Sequence, residues 1–213
     1  MSFKYILFDM DGVLVDSERV SYGIWKNFFS HYDTELSLDG YIQMCGRSND
    51  DMPPYVRENY PRVDSGALPG YWENEFGRVV DSGRLPVKKG VYALFDAMDE
   101  KKARRAVASS NIRFWVEKNL RAARLLDRIE AIACDGDVAA CKPAPDLFLK
   151  GAQLLGARPQ DCLVVEDSVS GILAGKAAGC AVALIPDLRM PPDDICARCD
   201  YVVDDLTRII PLL

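Results

Sequence analysis

Histidine is almost missing from this chain: His31 is the only one. Ser-His-Asp and Cys-His catalysis therefore find little support, and carboxylates, lysines and hydroxyls are left to carry any chemistry. Positive charge is also short. Lys and Arg number 26 against 32 Asp and Glu, a formal net charge of −6 at pH 7. That balance argues against general nucleic-acid binding, which rests on an excess of basic residues. It also means that an anion site here depends on local charge or on a metal. No apolar run approaches the roughly 20 residues of a membrane span, so no membrane association is expected. The 7 cysteines are odd in number and irregularly spaced, which is not a disulfide framework. Cys196 and Cys199 have CxxC spacing, but structural zinc needs a second ligand pair, and Cys134 and Cys141 stand too far apart to supply one. The first residues lack a charged region followed by an apolar stretch and a small-residue cleavage site. The expectation is a reducing cytoplasm with free thiols.

What is present is an ordinary globular composition, 49% hydrophobic and 27% charged over 213 residues. Such a chain can bury a core without staples. "FKYILFDMDG" reads as a short strand closing in Asp and Gly. Between Val15 and Arg84 no convincing strand is expected. Val20, Ile24, Trp25, Phe28 and Phe29 recur at helical spacing, and Pro53, Pro54, Pro61, Pro69 and Gly70 divide the stretch into several short helices. Beyond "LPVKKG" helices alternate with strands. The expected strands are "RRAVASSN", "IEAIAC", "CLVVED", "AVALI" and "YVVDD". Continuous apolar strands between helices predict a parallel sheet covered on both faces, an α/β, Rossmann-like doubly wound fold. The expected domains are a sheet core of residues 1–14 and 87–213 and an inserted all-helical cap of residues 15–86, hinged near 14–16 and 85–88.

Right-handed crossovers place the ends of parallel strands along one edge, where open α/β sheets bind ligands. Four polar signatures should meet there: Asp9 with Asp11, Ser109-Ser110-Asn111, Lys142, and Glu166-Asp167-Ser168. Two carboxylate clusters with a lysine and hydroxyls suit a hard cation and a phosphate group. Each signature also has a plainer reading. DxDG occurs in turns and calcium loops, although Asp9-Met10-Asp11-Gly12 lacks the spacing of an EF-hand. Ser110 or Asn111 could cap the next helix, Glu166-Asp167 could cap the helix from Val169, and Lys142 could be an exposed loop lysine.

"DMDGVLVDS", "AVASSN", "KPAPDLF" and "VVEDSVSGILAGKAAG" resemble, in order, the four motifs of the haloacid dehalogenase superfamily, and in particular its branch with a helical cap. The resemblance implies Asp9 as nucleophile, Asp11 as general acid and base, and Ser109 with Ser110 and Asn111 around the phosphoryl oxygens. Lys142 would balance charge. Mg²⁺ would be held by Asp9, the Asp11 carbonyl and Asp167, with Glu166 a further candidate ligand through water. "CGRS" resembles a cap loop that grips a distal phosphate, which implies Arg47 as a substrate contact, a plain surface arginine being the other reading. Ser17 stands where related mutases carry Thr, and Ser21 where they carry His.

The implied partner is a small phosphorylated metabolite, with a sugar phosphate one possibility; oligomeric state is left open. Three readings stand side by side: a Mg²⁺-dependent phosphatase, a β-phosphoglucomutase-like mutase, and a non-catalytic binding protein on the same fold. Absence of the mutase histidine tips the balance toward hydrolysis. A true dehalogenase is disfavoured, because it does not use the second Asp of DxD and Asp11 is present.

Overall fold

The computed structural model describes residues 2–45 and 51–213, so Arg47 lies outside the described residues. The chain separates into two compact units, Ser17–Leu85 and a second built from Met1–Asp16 with Pro86–Leu213.

The unit Ser17–Leu85 is helical among its described residues: α1 (Ser17–Ser30), α2 (Leu38–Ile42), α3 (Met52–Asn59) and α4 (Leu68–Asp81). The prolines act as starters. Pro53 and Pro54 open α3 and Pro69 opens α4, positions where a missing N–H costs nothing. Ser37 caps α2, its hydroxyl accepting from the Gly40 N–H at 3.1 Å. Phe28 of α1 packs on Tyr71 of α4 at 4.9 Å between ring centroids, and Phe29 on Tyr60 at 5.0 Å. Buried Ser21 accepts a hydrogen bond from the Trp72 indole at 3.0 Å. His31 follows the end of α1 and stands against the Tyr71 ring.

The other unit is a six-stranded, all-parallel sheet: β1 (Tyr5–Phe8), β2 (Arg104–Ile112), β3 (Ala131–Asp135), β4 (Cys162–Glu166), β5 (Ala181–Leu184) and β6 (Tyr201–Val202). The order is β3-β2-β1-β4-β5-β6. Its helices are α5 (Val91–Lys101), α6 (Arg113–Ala122), α7 (Asp146–Leu155), α8 (Val169–Ala177) and the short α9 (Asp193–Cys196). Ile6, Leu7 and Phe8 are fully buried, as is all of β4, the mark of strands covered on both faces. A Cβ at Gly151 would come within 3.3 Å of Leu7 Cδ2, so α7 lies close on the sheet. None of the described helices is long and apolar enough to cross a membrane.

Three local expectations are corrected. β2 runs through Ser109-Ser110-Asn111 as expected and one residue further, to Ile112, with an irregular register after Ala108. The cap of α6 is accordingly Ile112, with neither Ser110 nor Asn111 in that role. The cap of α8 is Ser168, whose hydroxyl accepts from the Gly171 N–H at 3.0 Å, and Glu166-Asp167 does not serve there. "YVVDD" supplies only two strand residues, because Asp205 turns the chain by accepting from the Thr207 N–H at 2.8 Å. The run "KKARR" is divided: Lys101 ends α5, Lys102 takes the left-handed conformation after it, and Arg104 and Arg105 enter β2. Arg105 is buried, donating to the Phe95 carbonyl at 3.1 Å with its guanidinium 4.7 Å from that ring.

Candidate active site

The strand order reverses at β1: β2 and β3 lie to one side, β4 to β6 to the other. Such a switch point leaves a crevice beyond the carboxyl ends of the strands. Phe8 pairs with Val165, and the Asp9 N–H donates to the Val165 carbonyl at 3.0 Å. Asp9 and Glu166 therefore emerge together at that edge. Lys142, from the segment between β3 and α7, joins them. Its ammonium pairs with Asp9 Oδ1 and lies 2.7 Å from Glu166 Oε1, with its side chain only 4% exposed. The same nitrogen stands 4.9 Å from the Phe148 ring centroid.

Glu166 is fully buried, and both of its oxygens are occupied. Oε1 takes Lys142, while Oε2 accepts from the Asp167 N–H, the Ser168 N–H and the Ser168 hydroxyl, each at 2.9 Å. A buried charge held this fully is affordable where an uncompensated one is not. α8 closes over it: a Cβ at Gly171 would fall 1.8 Å from Glu166 Oε1, so only glycine fits.

The paired aspartates do not lie on a strand. β1 ends at Phe8, and the chain turns at once, with the Leu14 and Val15 N–H groups both donating to the Met10 carbonyl at 2.9 and 3.1 Å. Asp9 is buried and Asp11 half-buried. Gly12 has φ +79°, a conformation that favours glycine. A Cβ there would lie 2.3 Å from Asp167 Oδ2 and 3.3 Å from Asp187 Oδ2. The carboxylates of Asp167 and Asp187 thus press against the Asp9–Gly12 turn. On the other side of β1, buried Ser109 accepts from the Asn111 N–H at 3.1 Å, and Asn111 Oδ1 accepts from the Ile112 N–H at 2.9 Å. Ser110 is exposed. Ser17 opens α1 in the helical unit and is buried there.

Burial pushes the Asp9 carboxyl up to about 7, against the pull of Lys142 and with help from Glu166 and Asp11. Burial works against the Lys142 ammonium too, yet Asp9 and Glu166 outweigh it and hold its pKa above the ordinary lysine value.

Lys88 and Asp187 escaped the sequence reading. They form an ion pair whose side chains are 13% and 2% exposed. The Lys88 N–H also donates to the Leu14 carbonyl at 3.0 Å, tying the returning chain to the Asp9–Asp16 segment. Asp187 follows β5, so the strand-end rule applied to "AVALI" points to it; Lys88 carries no comparable local signal. Lys88→Met leaves a nearly inaccessible carboxylate without its ammonium. It is expected to lower stability by about 3 kcal/mol, with Lys88→Arg recovering part of the loss, as read by urea unfolding.

Five carboxylates, Asp9, Asp11, Glu166, Asp167 and Asp187, gather around two ammonium groups, Lys142 and Lys88. Excess negative charge on oxygen donors fits a hard divalent cation. Among the described residues no three His, Cys, Asp or Glu side chains converge to cage a metal. A hard cation of this kind takes oxygen ligands from carboxylates, carbonyls, water and phosphate.

The fold is a doubly wound parallel α/β sheet with a carboxylate-rich centre at its switch point. The chain belongs to the haloacid dehalogenase-like hydrolase family, whose profile matches residues 3–179. Protein CbbY of Rhodobacter capsulatus is 31% identical over 227 residues, covering 100% of each chain. Fructose-1-phosphate phosphatase YqaB of Escherichia coli (strain K12) is 30% identical over 177 residues, 82% of this chain and 92% of its own. Among solved structures, a HAD family hydrolase from Deinococcus radiodurans R1 with bound phosphate and sodium is similar at a TM-score of 0.82 and 26% identity, covering 99% of this chain and 97% of that one.

Proposed function

We propose that this chain is a Mg²⁺-dependent phosphatase that hydrolyses a small phosphorylated metabolite, such as a sugar phosphate, through an aspartyl-phosphate on Asp9. The observation that carries the reading is the buried Asp9–Lys142–Glu166 cluster at the switch point of the sheet. The relatives named as phosphatases support it.

The Asp9 carboxylate attacks phosphorus and the alcohol leaves, taking a proton from Asp11. Asp11 then removes a proton from water, whose oxygen attacks the aspartyl-phosphate and releases inorganic phosphate. Asp11 suits both roles because it stands two residues beyond the nucleophile in the turn and is less buried than Asp9. Lys142 holds Asp9 in place and counters phosphate charge, and Glu166 fixes the lysine. The Ser109 hydroxyl and the N–H groups near Ser110 receive the phosphoryl oxygens, and the Asn111 N–H holds Ser109 Oγ in place. The Asp9 and Asp167 carboxylates and the Asp11 carbonyl would hold Mg²⁺, which supplies charge neutralisation at the phosphoryl group. In this reading Ser17 of the helical unit and Arg47, which lies outside the described residues, are the candidate substrate contacts. Hydrolysis is preferred over mutase chemistry because Ser21 offers a hydroxyl already engaged by Trp72, with no imidazole.

The test is release of inorganic phosphate from a panel including fructose 1-phosphate and β-glucose 1-phosphate, with and without EDTA. Release that EDTA abolishes is expected. Conversion of β-glucose 1-phosphate to glucose 6-phosphate with little free phosphate would replace this reading with the mutase.

A further inference from the structure

Lys88 and Asp187 take no part in the proposed reaction, yet both bear on the turn that carries it. Glu166 pairs with Leu184, and the Ile185 N–H donates to the Glu166 carbonyl at 2.8 Å. Asp187 follows two residues later, so pairing with the strand that ends in Glu166 also places it. Its Oδ1 takes the Lys88 ammonium. Its Oδ2 lies 3.3 Å from the point a Gly12 Cβ would occupy, a point that Asp167 Oδ2 also flanks. Lys88 holds the same turn through its backbone. Its N–H donates to the Leu14 carbonyl at 3.0 Å, and the neighbouring Val15 carbonyl accepts from the Gly12 N–H at 2.9 Å. One residue thus grips the turn twice, by its main chain at Leu14 and through Asp187 beside Gly12.

A buried ion pair is poor evidence of stability, because desolvation offsets much of its attraction and an apolar pair of like volume often serves as well. What such a pair adds is direction, since each group fixes where the other stands. Here the direction is toward Gly12, whose φ of +79° helps set the tilt of the peptide that carries the Asp11 carbonyl.

We propose that Lys88 and Asp187 are positioning residues, which set the Asp9–Gly12 turn, and with it the Asp11 carbonyl, against Asp167. In the reaction proposed above, on which this role rests, that carbonyl and the Asp9 and Asp167 carboxylates would hold Mg²⁺. The pair acts through the turn and not on the reacting atoms. Groups that hold metal ligands in place govern affinity and rate, with losses of about 10–100-fold when they are removed.

The experiment is the paired replacement of Lys88→Met with Asp187→Asn, which removes the ion pair and leaves net charge and side-chain volume nearly unchanged. The general attraction for a cation is preserved, so a change in Mg²⁺ affinity reports position. The urea midpoint lost in Lys88→Met should largely return in the double variant, whereas function should not. Its kcat is expected about 10–100-fold below wild type, with KM within about threefold and Mg²⁺ binding by calorimetry weakened about tenfold or more. A double variant that matches wild type in kcat and Mg²⁺ affinity makes the pair structural only and overturns the proposal. If the double variant does not fold, Lys88→Arg and Lys88→Met are compared below their unfolding transitions. A kcat falling in the order wild type, Arg, Met supports the proposal, and equal kcat overturns it. Wild-type protein that neither binds Mg²⁺ nor releases phosphate overturns the reaction itself and this role with it, a result visible before any variant is made.

Discussion

Asp9→Asn is expected to abolish phosphate release, by a factor on the order of 10⁴ or more, while leaving the protein at least as stable as wild type. The first half follows from removing the attacking oxygen. The second follows from charge. Lys142 faces two buried carboxylates, and the substitution leaves it paired with Glu166 alone. Because the folded protein holds the Asp9 proton up to about pH 7, against 3.8 as the ordinary value, folding binds a proton that the unfolded chain has released. Wild-type stability therefore falls as pH rises from about 4 to about 7 and levels off above. Asn does not titrate, so its melting temperature should draw level with wild type near pH 4 and exceed it progressively toward pH 8. Asp137, Asp200 and Asp205 are shifted the other way, below their ordinary value, and act only under more acidic conditions. The measurement is a pair of melting curves across that range without added cation. A variant that is inactive and also less stable at pH 8 would mean that the nucleophile stabilises the fold, contrary to the burial argument.

Gly171→Ala is the second large effect, and it arises from a residue with no side chain. A methyl group at that position would overlap the Glu166 carboxylate, at 1.8 Å from Oε1 and 1.9 Å from Cδ. Either α8 moves away from β4, or Glu166 gives up its hold on Lys142 and on the Asp167-Ser168 turn. The expected cost is on the order of 3–5 kcal/mol in stability, with phosphate release down at least a hundredfold. Gly23→Ala is the comparison: its site in α1 has nothing within 4 Å, so replacing a helical glycine there should be neutral or stabilising by up to about 1 kcal/mol. Urea titrations of both variants, with activity in parallel, separate helix propensity from the collision. Equal stability of the two would mean that Glu166 adapts freely.

The parts of the centre that were legible in the sequence are those a strand carries to its own end. Asp9, Glu166 and Asp167 follow apolar runs whose parallel pairing can be inferred, so their meeting at one edge follows from topology. Lys142 lies in a loop, and it was found through its motif. What escaped was the second layer. The contact of Lys88 with Asp187 joins residues 99 positions apart, and nothing local in "LPVKKG" announces it. The inward commitment of Glu166 was equally hidden, since a carboxylate beside Asp167 reads as a ligand until its hydrogen bonds are counted. Capping by Ser110 or Asn111 is the plainer alternative because Ser and Asn favour that role, and pairing with β3 excludes it by carrying the expected strand one residue further, to Ile112.

The chain leaves the sheet unit after Asp16 and returns at Pro86, and those two residues are fastened directly, the Asp16 N–H donating to the Pro86 carbonyl at 2.8 Å. Val15 and Val87 bridge beside them, and Lys88 holds Leu14. Whatever stands between these fastened points hangs from a closed doorway. Its ends are already together, so doubling its length would cost the sheet only about 0.6 kcal/mol of closure entropy. The intervening helices can be lengthened or replaced without parting the two ends that the sheet unit fastens. Such a scaffold separates the inheritance of a reaction from the inheritance of its preferences.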